Sequence, residues 1–197
     1  MDIIRYFIHP IFLVLLVLGV TFLENYYMKK RNFKVHALAN YAVMSSISVI
    51  LYLIGGVSLW TVKGMVMAYI LLYASVQDIS VREADDSLWV MLLILSLVNT
   101  REVGIASMLA GAIAVFVPQI VIANTVKTGG IGGADIKIST AGVLSLGFFG
   151  GVIGYMAGLV FAVIFQTIYS KIKKQSCRNG FPLLPFLSAG LMLGYVI

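Results

Sequence analysis

Residues 138–170 read ISTAGVLSLGFFGGVIGYMAGLVFAVIFQTIYS, a run without one charged side chain. At 1.5 Å of rise per residue it would make a helix roughly 50 Å long, whereas the hydrocarbon core of a bilayer is about 30 Å thick. One crossing cannot use that length, so the run must turn back. The glycines of GFFGG at 147–151 mark the natural break and give two spans, numbered six and seven below.

The rest of the chain reads the same way. Of 197 residues, 60% are hydrophobic and 11% charged, with a mean hydropathy of +1.00. A soluble domain is typically about 25% charged, so a soluble enzyme, a disulfide scaffold and a disordered tail are all excluded. A single cysteine, Cys177, can form neither an internal disulfide nor a cysteine cluster for zinc. It sits in a basic loop without a nearby histidine and reads as incidental.

Charged residues show where spans can end. Arg5 and Glu24 bracket the first span, which has neither the basic lead nor the cleavage site of a removable signal peptide. The second span lies within 37–62 and closes near Gly55, Gly56 and Trp60. The third runs over 61–77 and ends at Asp78. SLWVMLLILSLVNT is a short fourth span ending at Arg101, and 103–126 is the fifth. FPLLPFLSAGLMLGYVI is the eighth. The expected fold is an all-α polytopic membrane protein of about eight transmembrane helices, residues 1–197 forming one membrane-embedded domain.

Eight spans alternate sides, which the charges can test. With both termini outside, the inner loops hold Lys29, Lys30, Arg31 and Lys34; Arg82; Lys127 and Lys137; and Lys171, Lys173, Lys174 and Arg178. That is 11 of the 14 basic residues, leaving Arg5, Lys63 and Arg101 outside. This is the distribution the positive-inside rule requires. The net charge of +6 therefore reads as a cytoplasmic-loop bias and not as a nucleic-acid signal.

Ionisable residues at membrane depth are costly and point to function. The chain has eight acids. Asp2 and Glu102 lie in outer segments, and Glu24 reads as a boundary carboxylate near Lys29. Asp78 follows the apolar stretch AYILLYASVQ. Asp135 opens span six, directly after Gly129, Gly130, Gly132 and Gly133. Both lie at inner span ends at similar depth and can face each other across a bundle. Like charges a few ångströms apart do not both ionise readily, so such a pair shares one proton. The ionised member can take a proton from water while the protonated one polarises a peptide carbonyl. Glycines beside them would let an extended peptide approach closely.

Glu83, Asp85 and Asp86 share the loop after Asp78. They read either as capping residues for span four, with Ser87, or as an acidic landing site for a basic substrate segment. His9 and His36 are isolated and make no metal site.

The segment DISVREADD, from Asp78 to Asp86, resembles the D-x-x-x-R-x-I-P-[ND] segment of type IV prepilin peptidases. Gly132-Gly133-Ala134-Asp135-Ile136-Lys137 resembles their G-x-G-D-x-K motif. Residues 181–190, FPLLPFLSAG, resemble their C-terminal P-F-x-P-F-L-x-x-G. The order of the motifs and their cytoplasmic side agree with the charge pattern. The resemblance implies an aspartic membrane endopeptidase that removes the short basic leader of prepilin-like or preflagellin-like precursors, without a cofactor. It implies Asp78 and Asp135 as the catalytic pair. Gly132 and Lys137 then take supporting roles, and Gly133 fills the variable position. The expected partners are such precursors, with a hydrophobic helix behind the leader, and the lipid bilayer.

Three departures are visible. Ala134 stands for a glycine, and Ala84-Asp85 for Ile-Pro. The first inner loop, 26–36, also lacks the CxxC pairs of the large members. Structural zinc is thereby excluded, and the N-methylation of those members is not carried over. The alternative is a small ion-coupled transporter, since paired intramembrane acids and glycine-broken helices also mark ion sites. Against it, the two acid-bearing segments show no inverted repeat.

Overall fold

A computed structural model describes residues 2–125, 131–173 and 181–197. These form helices α1 (Asp2–Lys30), α2 (Ala37–Gly55), α3 (Leu59–Val81), α4 (Asp86–Ser96), α5 (Thr100–Val103), α6 (Ile105–Thr125), α7 (Gly133–Leu146), α8 (Phe148–Lys173) and α9 (Leu184–Val196). Helix accounts for 86% of the structure, and no strand occurs among the described residues.

Five helices are long and apolar enough to cross a membrane: α1 from Phe12, then α2, α3, α6 and α8 to Ile172. The other three expected spans are shorter, at 11 residues for α4, 14 for α7 and 13 for α9. A helix of 11–14 residues is about 16–21 Å long, less than the hydrocarbon thickness. α7 and α9 lie largely inside the bundle, whereas α4 buries only Leu88, Leu92 and Ser96 and exposes Met91 and Ile94. α7 packs against α4, α6, α8 and α9, and α9 packs against α3 and α8. α3 is the central helix, 61% buried over its apolar window against 22–28% for the other four long helices. Large apolar side chains on α1, α2, α6 and α8, among them Phe12, Leu53, Ile113 and Phe149, face outward. A surface of that kind suits lipid and not water.

The expected break in the uncharged run is present. Gly147 ends α7 with φ +81, a left-handed conformation in which an L side chain is strained, and α8 starts at the next residue. α2 stops at Gly55, where the second span was expected to close, and Ser58 caps α3 by accepting from the Thr61 N–H at 3.2 Å. Other boundaries moved. α3 does not end before Asp78. Its hydrogen-bond ladder runs on to Val81, where Arg82 adopts φ +62 and its N–H still donates to Asp78 O. Asp78 therefore sits inside the last helical turn. Lys63, read as an outer-loop residue, is buried in the first turns of α3. Its Nζ donates to Val98 O at 2.8 Å and Ser145 O at 2.9 Å, which ties the far ends of α4 and α7 together.

In a bilayer the helices gain little from leaving lipid for one another, so close packing must hold them together. α8 and α9 meet along Gly150, Gly154 and Gly158 on one side and Gly190 and Gly194 on the other. A Cβ on Gly194 would stand 2.1 Å from Gly150 O, and one on Gly190 2.3 Å from Gly154 O. Only hydrogen fits there. On the other flank of α9, Ser75 Oγ donates to Ser188 Oγ at 3.0 Å and Tyr195 Oη donates to Trp60 O at 2.7 Å. Helix α9 is thus fixed between α3 and α8.

Candidate functional site

Asp78 reaches the site from the last turn of α3. Its side chain is buried, and Oδ2 accepts the backbone N–H of Leu184 at 3.1 Å. That N–H belongs to the first turn of α9, where helical amides have no intrahelical acceptor and favour an anionic partner. Leu183 is the residue before the helix and Pro185 sits in its first turn, a place proline suits. The segment PLLP therefore sets both the helix start and the free amide.

Asp135 is the third residue of α7. Gly132, with φ −64 and ψ 144, precedes the helix, and the Asp135 carboxyl turns back toward it. A Cβ on Gly132 would stand 3.0 Å from Asp135 Oδ2, whereas one on Gly133 would meet nothing within 4 Å. The two adjacent glycines thus differ: the first makes room for the carboxyl, and the second faces open space.

The two aspartates line one cavity of about 480 Å³. All eight residues expected from the sequence line it: Asp78, Glu83, Asp85, Asp86, Gly132, Gly133, Asp135 and Lys137. Arg82, Ala84, Ala134 and Leu184 complete the wall. Five carboxyl groups face two cations there.

Two of the loop acids have partners. Asp86 Oδ1 lies 2.6 Å from Lys137 Nζ, which also stands 5.9 Å from the centre of the Trp89 ring. Asp85 is paired with Arg31, and its backbone N–H donates to Oε1 of the buried Gln77 at 3.1 Å. Arg31 Nη1 also donates to Tyr73 Oη at 3.2 Å. The bonds to Tyr73 and Asp85 hold the guanidinium above its ordinary value, so it stays charged. Asp85 is the residue before α4, yet its side chain makes no capping bond. Glu83 is exposed at the cavity edge.

Sequence reading missed three contributors. Arg31 was one of four loop cations, and nothing local marks it as the partner of Asp85. Gln77 carries no charge to draw notice. The Leu184 amide is a backbone group: prolines signal the helix start, but not which carboxylate it will meet. Glu24 also departs from its expected boundary role. Its carboxyl turns into the bundle, and neither oxygen has a hydrogen-bond partner among the described residues. Gly129, Gly130 and Cys177 lie outside the described residues. Among those described, no three His, Cys, Asp or Glu side chains gather as a metal site needs.

Chemically, the cavity offers two carboxyl groups on separate helix ends, one of them anchored by an amide. An open glycine shelf and an acid-rich rim complete it.

Comparison with known proteins bears on what that arrangement does. No curated protein and no solved structure matches the chain. The model of the type IV leader peptidase family matches residues 65–170, more than half of the chain, including both aspartates and the glycine motif. The chain belongs to the type IV leader peptidase family and is, on that ground, a membrane-type peptidase.

Proposed function

We propose that the protein is an aspartic endopeptidase that cuts the short basic leader from type IV prepilin-like or preflagellin-like precursors, with Asp78 and Asp135 as its catalytic pair. The observation that supports this most is that two carboxyl groups far apart in sequence line one cavity with the whole glycine motif. Family membership supplies the peptidase reading to which that geometry answers.

In this mechanism the ionised member of the pair takes a proton from water, and the water oxygen attacks the scissile carbonyl carbon. The protonated member hydrogen-bonds the carbonyl oxygen and stabilises the charge that develops there. Collapse of the tetrahedral species breaks the C–N bond, and the amine leaves with a proton from the pair. One proton is shared by two groups, so neither aspartate is assigned as the base. The Leu184 N–H holds Asp78 in place, and Gly132 gives the Asp135 carboxyl its room. Gly133 and Lys137 shape the shelf on which an extended substrate lies, and Glu83, Asp85 and Asp86 face its basic leader.

The chain is read as crossing the cytoplasmic membrane eight times, both termini outside, with α4, α7 and α9 as short spans. The basic loops and the cavity then face the cytoplasm, and the substrate's apolar helix lies alongside within the bilayer.

Co-expression with a prepilin-like precursor tests the reading. The intact protein yields the leader-less product, while Asp78→Asn and Asp135→Asn each abolish it and still accumulate in the membrane. Cleavage that survives both changes, or solute uptake without any cleavage, overturns the reading.

A further inference from the structure

A second cavity, of about 440 Å³, lies between α1, α3 and α4. Most of its wall is apolar, with Leu23 and Met91 on opposite sides, and the rings of Tyr27, Tyr69 and Tyr73 also line it. Glu24 lines it too. Both carboxyl oxygens of Glu24 are buried and have no hydrogen-bond partner among the described residues. A buried polar group without a partner costs free energy, the more so when it is charged. The one cation among the lining residues, Arg31, is turned to Tyr73 and Asp85 and not to Glu24. Asp85 lines both this cavity and the one holding Asp78 and Asp135. The two chambers therefore adjoin at the Arg31–Asp85 pair.

These features select the chemistry of an occupant. It must carry N–H donors for Glu24 and an apolar stem for the walls. A positive charge is favoured by Glu24, whereas an anion is repelled by it; Asp85 is already neutralised by Arg31, which also lies over the Tyr27 ring. Glu24 lies six residues before the end of α1, roughly 9 Å along the helix, within the reach of a long side chain that stretches its stem along apolar surface.

We propose that this cavity is a subsite for one basic side chain of the substrate's leader, an ammonium or guanidinium on an apolar stem, with Glu24 as its counter-charge. The proposal rests on the leader-peptidase reading. It makes Glu24 a specificity residue and the adjoining cavity the place of cleavage.

Two measurements on the full chain separate the subsite from that reading. The first uses n-hexylammonium as the probe on purified protein in detergent micelles, with n-hexanol and hexanoate as controls. Hexylammonium alone raises the melting temperature. The shift is lost in Glu24→Gln and in Met91→Trp, which fills the chamber from the opposite wall and leaves the carboxyl in place. The second compares kcat/KM for a precursor with a Lys/Arg leader and for the same precursor with those residues changed to Gln. The intact enzyme prefers the basic leader by about tenfold or more, the worth of one charge-assisted hydrogen bond. The preference lies in KM, and Glu24→Gln brings the ratio close to one.

Equal shifts for all three probes, or a hexylammonium shift that survives Glu24→Gln, overturn the proposal. So does a leader preference that Glu24→Gln leaves intact. A Glu24-dependent hexylammonium shift in a protein that cuts neither leader upholds the cation site and overturns the peptidase reading instead.

Discussion

The backbone N–H of Leu184, in the first turn of α9, donates to Asp78 Oδ2, in the last turn of α3, at 3.1 Å and across 106 positions of chain. A helix start thereby anchors a buried carboxylate. The anchor is only as firm as the seat of α9, which the glycine seam with α8 and the Ser75–Ser188 bond supply.

That dependence predicts an effect at a distance. Gly190→Leu places side-chain atoms where Gly154 O and the Gly158 backbone already stand within 2.3–2.6 Å of a Cβ. Backbone cannot step aside as a side chain can, so the expected cost is about 3 kcal/mol or more. Precursor cleavage falls with it, because Leu184 moves with α9. Gly19 of α1 is the control, since a Cβ there meets nothing within 4 Å. Gly19→Ala raises stability by up to about 1 kcal/mol through helix propensity. Chemical unfolding in micelles checks both, and equal effects at the two glycines would refute the seam.

Gly132→Ala tests the room left for Asp135. The backbone at 132 lies in the extended region open to alanine, so strain is not the issue. The added methyl carbon presses on Oδ2 from 3.0 Å and pushes the carboxyl off its position. Misplacing a catalytic group by a fraction of an ångström costs about tenfold or more in rate. The expected result is a drop in kcat of that order with an unchanged melting temperature.

On the proposed mechanism, either Asp78→Asn or Asp135→Asn lowers cleavage by at least about a hundredfold, since each removes half of the proposed acid–base pair. Joining the two changes costs little beyond either alone, as for residues acting as a unit. Residual rates of the double variant far below both singles would show two independent roles.

Lys63→Met removes both donors from Val98 O and Ser145 O. One buried and one half-buried carbonyl lose their partner, for an expected loss of about 2–4 kcal/mol. The apolar stem is kept, so packing is not the cause. An unchanged unfolding midpoint would mean those carbonyls find other donors.

The acidic rim calls for a narrower test than reversing all three loop charges. Reversal at Asp85 or Asp86 also breaks the pairs with Arg31 and Lys137. Glu83→Lys alone probes the rim. It weakens cleavage of a basic-leader precursor several-fold, and the effect shrinks as salt rises. A salt-independent loss would point to a structural role.

The sequence by itself determined the class of the protein and named residues that share one cavity. Scarcity of charge dictated membrane helices, because so much apolar surface has no other home. The same scarcity made Asp78 and Asp135 stand out, and an uncharged run too long for one crossing placed the break that Gly147 makes. Motif spacing named eight residues that line one cavity. Helix length was less legible: a run of apolar residues does not say where the hydrogen-bond ladder stops. α3 therefore ran past Asp78, and α4 stopped at Ser96. Tertiary structure alone decided the pairings. Arg31 meets Asp85, Lys63 turns inward to two carbonyls, Glu24 faces a chamber, and the Leu184 amide holds Asp78. Each joins segments 35 or more residues apart or depends on which face of a helix meets its neighbour. In lipid that choice rests on close packing and hydrogen bonds, neither of which a residue-by-residue pattern records.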